Sequence, residues 1–341
     1  MPTRTMKHRT RITPDRHPAS TRCGMVLKLL QILLMTMLAD AVRAGELPVA
    51  VFKIGVLPFG TLNWELHTLQ SEALDKQHQV RIETVPVATA EAGKVALLGG
   101  RVDLIVSDWF WVASQRMQNR NMQFYPYSTT QGALLVPADS PIRQPGDLAG
   151  RKLGVAGGGL DKNWLLLRAF VRKTTGQELE RITTPVFGAP PLLNQQLSQG
   201  RLDAVLNYWN FAAKLEASGY KTLLDGTTLL QELGFPATLP SLGYVFSESF
   251  AASQAQNLNR LFDALQQARN LICERDGSWN QVVQLTEEQD PAVQRRLRTR
   301  YCGGRIQHFD QTEQKAAADL YALLHPATPR LPPGVFWQGR L

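Results

Sequence analysis

The chain has 341 residues, 44% of them hydrophobic and 19% charged, which is enough for two ordinary globular domains. Its formal charge of +8 arises mainly in residues 1–44, because the remainder has 29 basic residues (37 minus 8) against 27 acidic ones (29 minus 2). This balance, and the absence of helix-turn-helix, RNP or zinc-finger spacings, argue against a nucleic acid partner.

Residues 1–44 have the pattern of a secretory signal peptide, with a basic start, an apolar run at 25–38 and small residues before Ala44. We predict cleavage after Ala44 and export to an oxidising compartment. The alternative is an N-terminal membrane anchor, although the apolar run is short for a membrane span. A further hypothesis is that translation begins at Met25 and that residues 1–24 reflect a gene-start error.

Short apolar runs alternate with helical patterns along the rest of the chain, which predicts α/β architecture. In a first lobe we predict strands at 52–57, 80–85, 104–106, 122–127 and 133–136, and helices at 61–76, 90–98 and 109–118. In a second lobe we predict strands at 152–156, 182–187, 204–206 and 221–224, and helices at 162–174, 191–199 and 209–218.

A strand at 243–247 is expected to return the chain to the first lobe, and helices at 253–275, 279–285, 291–301 and 311–324 form a helical tail. The predicted first lobe is therefore residues 45–137 with 241–330, and the second is residues 138–240. Two crossings between lobes predict a hinge and an interlobe cleft.

An internal repeat supports two lobes of similar βαβ construction. Each copy has a strand with K-[IL]-G-V, a glycine turn, an Asn-Trp pair and a strand after G-R-x-D. The matching stretches are Lys53–Val56 with Lys152–Val155, Asn63–Trp64 with Asn163–Trp164, and Gly100–Trp109 with Gly200–Trp209. Asp103 and Asp203 recur at the strand entries, so we assign them a structural role.

Cys273 and Cys302 are the two cysteines beyond residue 44. An even number of cysteines after an export signal fits one disulfide, which would stabilise the C-terminal region by roughly 3 kcal/mol. The alternative is two free buried thiols. His308 and Asp310 are isolated in the sequence, so no metal site is expected.

The segments Ala90–Asp103 and Asp147–Val155, the latter reading D-L-A-G-R-K-L-G-V, are similar to the SsuA/THI5-like (NMT1-like) periplasmic solute-binding proteins of ABC importers. The resemblance covers most of residues 50–325. It implies a type II periplasmic-binding-protein fold, a periplasmic monomer, a small-molecule ligand, an ABC permease at the inner membrane as partner, and no cofactor. The family often has Ser or Thr after the glycine of the second-lobe turn, whereas this chain has Gly157–Lys162.

In open α/β sheets, ligands bind at the carboxyl ends of the strands. We expect the bound solute to be a sulfonate, a pyrimidine or another small aromatic or polar compound. The predicted ligand-binding residues follow four strands: Phe59, Thr61 and Trp64; Ser107, Asp108 and Trp109; Gly157, Gly158, Gly159, Asp161 and Asn163; and Asn207, Tyr208 and Trp209.

Trp109 and Trp209 are predicted to face each other across the cleft and to sandwich a flat ligand. The alternative is that each caps the core of its lobe. Asp108 is expected to bind a ligand amine or hydroxyl, or else to cap a helix. The amides of the glycine turn are expected to contact the polar end of the ligand. Lys162 is a candidate for an anion contact, but solvent exposure is the favoured interpretation.

Enzyme motifs are absent. The glycines Gly157–Gly159 lack the Lys-Ser/Thr ending of a P-loop and the third glycine of a dinucleotide fingerprint, and no G-x-S-x-G elbow occurs. No histidine has a nucleophile beside it on a predicted cleft loop. The sequence therefore predicts binding without catalysis. Alternatives are a periplasmic sensor or redox-enzyme helper and, less favoured, a pyrimidine-synthase-like enzyme, for which Lys162 is the one candidate cleft lysine.

Overall fold

The structure is a computed structural model that describes residues 48–306 and 308–339, together with Met1 and Thr3. The predicted signal peptide and its cleavage site lie outside the described residues, apart from those two positions. No helix in the described part of the chain is both long and apolar enough to span a membrane.

The first lobe is built on a five-stranded mixed sheet with the order β2-β1-β3-β10-β4. Its strands are β1 (Ala50–Val56), β2 (Val80–Pro86), β3 (Leu104–Ser107), β4 (Met122–Ser128) and β10 (Leu242–Ser247). Its helices are α1 (Leu62–Ser71), α2 (Leu74–Gln77), α3 (Ala90–Leu98) and α4 (Trp109–Arg116). Strand β1 runs parallel to β2 and β3, whereas β10 runs antiparallel to β3 and β4.

The second lobe repeats this plan with the order β7-β6-β8-β5-β9. Its strands are β5 (Ala133–Val136), β6 (Lys152–Ala156), β7 (Thr184–Gly188), β8 (Ala204–Asn207) and β9 (Lys221–Asp225). Its helices are α5 (Lys162–Thr175), α6 (Leu179–Ile182), α7 (Pro190–Ser198), α8 (Trp209–Ala217) and α9 (Gly226–Leu233), and a 3₁₀ turn, Pro145–Leu148, precedes β6. Helices α6 and α9 have no counterpart among the predicted elements.

The repeated G-R-x-D segments tie equivalent strands together. The Lys53 backbone N–H donates to Asp103 Oδ2 at 2.7 Å, and the Lys152 N–H donates to Asp203 Oδ2 at 2.8 Å. Each aspartate thus bonds to the neighbouring strand of its sheet, to β1 at its fourth residue and to β6 at its first. The structural role predicted for Asp103 and Asp203 is confirmed by these bonds.

The predicted placement of strand β5 (Ala133–Val136) in the first lobe is wrong. It lies between β8 and β9 in the second sheet and pairs antiparallel with both. The chain therefore crosses between β4 and β5, earlier than the predicted boundary at residue 137, and β10 returns to the first sheet as expected. A four-residue apolar run identifies a buried strand but carries no signal for its partner, because each lobe receives one antiparallel strand from the other half of the chain.

The helical tail contacts both lobes. Its helices are α10 (Glu248–Glu274), α11 (Asp276–Val283), α12 (Pro291–Gly303) and α13 (Gln311–Leu324), with a 3₁₀ turn at Gln284–Thr286. Helix α10 packs on α1 of the first lobe, whereas α12 packs on α8 and α13 on α5 of the second. A disulfide between Cys273 and Cys302 joins the end of α10 to the end of α12. The tail therefore bridges the hinge.

Candidate functional site

A cavity of about 150 Å³ lies between the lobes, at the carboxyl ends of β1, β3, β6 and β8. Nine of the predicted site residues line it: Phe59, Thr61, Ser107, Asp108, Gly158, Asp161, Asn163, Tyr208 and Trp209. The other five, Trp64, Trp109, Gly157, Gly159 and Asn207, are not part of its wall. The strand-end rule thus locates the cavity, but not every side chain on those loops faces it.

Asp108 begins helix α4 and also faces the cavity. Its Oδ1 accepts a hydrogen bond from the Trp111 backbone N–H at 2.9 Å, which is an N-cap bond. Its side chain is among the buried polar groups, with a residue exposure of 7%. Among the residues that the structure describes, none donates a hydrogen bond to its second oxygen, Oδ2. The two roles expected for Asp108 are therefore compatible, because one oxygen caps the helix and the other is available to a ligand.

Asp161 has the same capping role, as the N-cap residue of helix α5. Its Oδ1 accepts from the Asn163 backbone N–H at 2.9 Å and from Asn163 Nδ2 at 3.0 Å. Burial raises the pKa of the Asp161 carboxyl, the nearby Lys162 ammonium opposes this, and the charge of Asp108 adds to it. Asn163 Oδ1 in turn accepts from the Gly132 N–H at 3.0 Å, so the turn before α5 is held to the start of β5.

Lys162 is buried, with an exposure of 5%, and lines the cavity, so the favoured interpretation of solvent exposure is wrong. As the first residue of α5, it lies where the chain turns into the cleft. Its ammonium makes no ion pair or hydrogen bond within the described part of the chain. It nevertheless lies close enough to lower the pKa of Asp161, although burial still leaves that pKa raised.

The three-glycine turn after β6 lets neighbouring side chains approach the backbone closely. Gly157 has φ +80°, and a Cβ there would come within 2.8 Å of the Tyr208 hydroxyl and 3.1 Å of Asp161 Oδ2. Its N–H donates to the Gly188 carbonyl at 3.2 Å, so this amide is already occupied. Gly159 lies off the cavity wall, beside Phe187. The predicted ligand contacts of Gly157 and Gly159 are therefore not supported, and Gly158 alone of the three lines the cavity.

The predicted aromatic sandwich is wrong. Trp109 is 1% exposed, stacks on Phe110 with ring centroids 3.7 Å apart, and donates from Nε1 to the Pro240 carbonyl at 3.1 Å. A large ring whose indole N–H finds a buried acceptor is more stable in the core than at the rim. Trp209 reaches the cavity wall, but its ring packs edge-to-face on Trp64, with centroids 6.1 Å apart.

Trp64 and Asn207 also have structural roles. Trp64 packs against Trp279 and Tyr301 of the tail, in the same hydrophobic cluster as Trp209. Asn207 is 1% exposed, and its amide donates to the Pro190 carbonyl and to Asn194 Oδ1 while its carbonyl accepts from the Tyr208 N–H. Its hydrogen-bonding groups are therefore used within the second lobe.

Sequence reasoning missed several residues that line the cavity. They are Glu91 and Lys94 on α3, Tyr127 and Thr130 at and after the end of β4, and Asn210 on α8, besides apolar side chains such as Leu57, Val87, Ile105 and Leu242. Glu91 and Lys94 share a helix face by their spacing of three, a signal that was available. Tyr127 lies near the carboxyl end of a strand, so the strand-end rule applies to it as well.

The loop after β1 touches the second lobe. The ring of Phe59 packs edge-to-face on Phe211, with centroids 5.7 Å apart, and Asn210 Nδ2 donates to the Phe59 carbonyl at 3.5 Å. The Thr61 hydroxyl lies 3.4 Å from the Tyr127 hydroxyl. These contacts enclose one end of the cavity with residues from both lobes.

The cavity wall combines a large apolar surface with three carboxylates and two lysines. No histidine or cysteine lines it among the described residues, and no cluster of His, Cys, Asp or Glu in that part of the chain could hold a metal ion. The arrangement suits reversible binding of a small molecule with an apolar part and a polar part.

Two α/β lobes, each with one antiparallel strand from a distant part of the chain, with a cavity between them, define a bilobal α/β fold. The chain is similar to the alkanesulfonate-binding protein SsuA from Xanthomonas axonopodis pv. citri (21% identity, 86% of this chain and 99% of that one, TM-score 0.69). It is also similar to the periplasmic aliphatic sulphonate binding protein SsuA from Escherichia coli (18% identity, 85% and 92%, TM-score 0.66). A DSZB mutant in complex with biphenyl-2-sulfinic acid matches as well (14% identity, 84% and 94%, TM-score 0.55).

At these identities the matches show the fold, which is the type II periplasmic-binding-protein fold predicted from the sequence. Residues 126–275 match the family model described as NMT1/THI5 like. This match supports the resemblance and includes one of the two motifs that carry it, Asp147–Val155. A search of curated proteins finds no match.

Proposed function

We propose that this chain is the periplasmic substrate-binding component of an ABC importer, which captures a small organic solute in the cleft and delivers it to a membrane permease. The observation that carries the proposal is the cavity lined by strand-end loops of both lobes. A ligand that contacts both lobes binds the closed form better than the open one, so it shifts the population towards closure. A permease then distinguishes the loaded protein by its shape.

The chemistry of the cavity supports a selective binding role without catalysis. The wall includes apolar side chains such as Leu57, Val87 and Ile105, together with charged and hydroxyl groups such as Asp108 and Tyr208. An apolar wall supplies affinity through burial, and a few placed polar groups supply orientation. The two SsuA proteins of similar fold bind alkanesulfonates and aliphatic sulphonates, which is this type of task.

The cellular setting belongs to the same proposal. We expect export by the segment at 1–44, a periplasmic location and a monomeric mature protein. The disulfide between Cys273 and Cys302 fits an oxidising compartment.

The test uses the mature chain, residues 45–341, in isothermal titration calorimetry against sulfonates, nitrate, pyrimidines, amines and small aromatic compounds. Gly158→Trp fills the cavity from its wall, whereas Gly159→Trp changes the adjacent glycine off the wall and serves as the matched control. A hit should be lost in Gly158→Trp and kept in Gly159→Trp. Small-angle scattering should show a smaller radius of gyration with ligand. Binding that survives Gly158→Trp, or no binding across the whole panel, would contradict the proposal.

A further inference from the structure

Three carboxylates line the cavity. Asp108 and Asp161 come from the two lobes, and Glu91 lies on α3 of the first lobe. Burial raises the pKa of the Tyr208 phenol well above its ordinary value, and the charges of Asp161, Glu91 and Asp108 raise it further. All three carboxylates therefore lie close enough to act on the same hydroxyl group.

Two of these carboxylates occupy positions that suit an anion. The first amides of a helix attract negative charge, which makes helix N-termini at a cleft natural sites for anionic groups. At α4 the Trp111 N–H bonds to Asp108, and at α5 the Asn163 N–H bonds to Asp161. A sulfonate placed at these termini would face a fixed carboxylate in each lobe and would be repelled by both.

The cavity lysines do not neutralise Asp108. The charge of Lys162 lowers the pKa of Asp161. Lys94 Nζ lies 5.6 Å from the centre of the Trp111 ring. No lysine, arginine or histidine nitrogen lies within 4.0 Å of the Asp108 or Glu91 carboxylate among the described residues. Asp108 is thus a largely buried carboxylate on the cavity wall, with one oxygen that accepts from no group of the described residues and is open to a donor from a ligand.

Resting on the proposed function, we propose that the ligand is a small organic cation, with a protonated amine that donates to Asp108 Oδ2 and an apolar ring that packs against the wall formed by Leu57, Val87 and Ile105. The site would then select against the plain sulfonates named for the SsuA relatives. Glu91, at the rim, adds longer-range attraction for the same cation. The cavity volume of about 150 Å³ suits a ligand with one ring, because a dry cavity of that size in another protein holds benzene.

The experiment compares three probes with one ring each: benzylamine, which is protonated at pH 7, neutral benzyl alcohol and anionic benzenesulfonate. Calorimetry on the mature chain should show that benzylamine binds most tightly. Asp108→Asn keeps the helix cap, because Asn caps as well as Asp, but removes the charge. It should lower the affinity for benzylamine by about tenfold or more and leave the affinity for benzyl alcohol nearly unchanged.

Asp225→Asn is the matched control, since Asp225 caps α9 through the Thr228 N–H at 2.7 Å and lies outside the cavity wall. It should leave the affinity for all three probes unchanged. Glu91→Gln is a second variant, at an exposed residue that plays no part in the α4 cap. It should lower the affinity for benzylamine by a smaller factor, about threefold.

Tighter binding of benzenesulfonate, strengthened by Asp108→Asn, would overturn the ligand class while leaving the proposed binding function intact. An affinity for benzylamine that neither acidic substitution changes would also overturn it. The failure of the proposed function looks different, because then no compound in the wider panel binds at the cavity.

Discussion

Arg269 Nε lies 2.9 Å from Glu65 Oε1, and both side chains are buried beneath the first-lobe wall of the cavity. The Glu65 carboxylate also accepts from the hydroxyls of Tyr244 and Tyr301, at 2.9 and 2.6 Å. The guanidinium lies 4.4 Å from the centre of the Tyr127 ring, which lines the cavity. This buried pair thus joins α1 to β10 and to the tail helices α10 and α12, next to the Tyr127 side chain of the cavity wall.

Replacing one partner of such a pair leaves the other charge buried without compensation. We expect Glu65→Gln to lower the free energy of unfolding by about 3–5 kcal/mol, measured by urea denaturation. The exposed pair Arg81–Glu83, with its charged atoms 3.6 Å apart, provides the control, and Glu83→Gln should change stability little. Equal losses in the free energy of unfolding for the two substitutions would show that the buried pair contributes no more to stability than the exposed one.

The buried tyrosines predict a loss of stability at alkaline pH. Burial raises the pKa of Tyr125 from 10.0 to about 12, and burial also raises the pKa of Tyr244 well above its usual value. From pH 10 to about 12 the unfolded tyrosine loses its proton while the folded Tyr125 keeps it, so stability is intact below pH 10 and falls through this window.

Each such tyrosine lowers the free energy of unfolding by about 1.4 kcal/mol per pH unit in that window. Urea denaturation at pH 9, 10 and 11 should therefore show a steeper decline for the natural chain than for Tyr125→Phe. Tyr220→Phe, at a tyrosine that is less buried, is the control for the loss of a phenol hydroxyl. A slope that Tyr125→Phe does not change would contradict the prediction.

The disulfide between Cys273 and Cys302 closes a loop within the tail. We expect its removal in the Cys273→Ser/Cys302→Ser variant to lower the free energy of unfolding by roughly 3 kcal/mol, because the unfolded chain gains freedom. Urea midpoints with and without dithiothreitol measure the effect. The reductant should lower the midpoint of the natural chain and leave the double variant unchanged; a shift in both would implicate something other than this bond.

The sequence predicts those parts of the fold that depend on local patterns. Asp103 and Asp203 bond to the backbone N–H groups of Lys53 and Lys152, which lie 50 and 51 residues earlier, and this repeat identifies both lobes. Local patterns do not predict which strands pair with β5. Its four apolar residues would fit either sheet, and only the packing of the whole chain places them beside β8 and β9.

The candidate site was predictable to a similar extent. Asp108 and Asp161 follow strands, so the strand-end rule finds them. The rule does not say which way a side chain turns, and for Trp109 the indole N–H bond to Pro240 and the stacking on Phe110 favour the core. Lys162 is buried although lysine is usually exposed, because α5 begins inside the cleft beside the Asp161 carboxylate.

The two tryptophans predicted to face each other can be separated by substitution. Trp209→Phe alters the cavity wall and should weaken any ligand identified by calorimetry, whereas Trp109→Phe should leave its affinity unchanged. Trp109→Phe should instead lower the free energy of unfolding by about 1–3 kcal/mol, since the Pro240 carbonyl loses its donor. Reduced affinity in Trp109→Phe, in a chain that remains folded, would restore the aromatic sandwich.

Gly157 offers the most direct test of the geometry around Asp161. An alanine there must adopt φ +80° and place its Cβ 2.8 Å from the Tyr208 hydroxyl and 3.1 Å from Asp161 Oδ2. Gly176→Ala is the matched control, because φ is +69° at that position but nothing lies within 4 Å of the added Cβ. Both substitutions should lose about 1–2 kcal/mol from backbone strain alone, measured by urea denaturation.

Only Gly157→Ala also pushes Tyr208 and Asp161 away from their positions at the cavity. It should therefore weaken ligand binding in calorimetry and lower stability beyond the loss in Gly176→Ala. Equal stability losses with unchanged affinity in both variants would mean that Tyr208 and Asp161 adjust freely. In that case the close approach at Gly157 would not define the shape of the site, and the carboxylate end of the cavity would have to be set by the α5 cap alone.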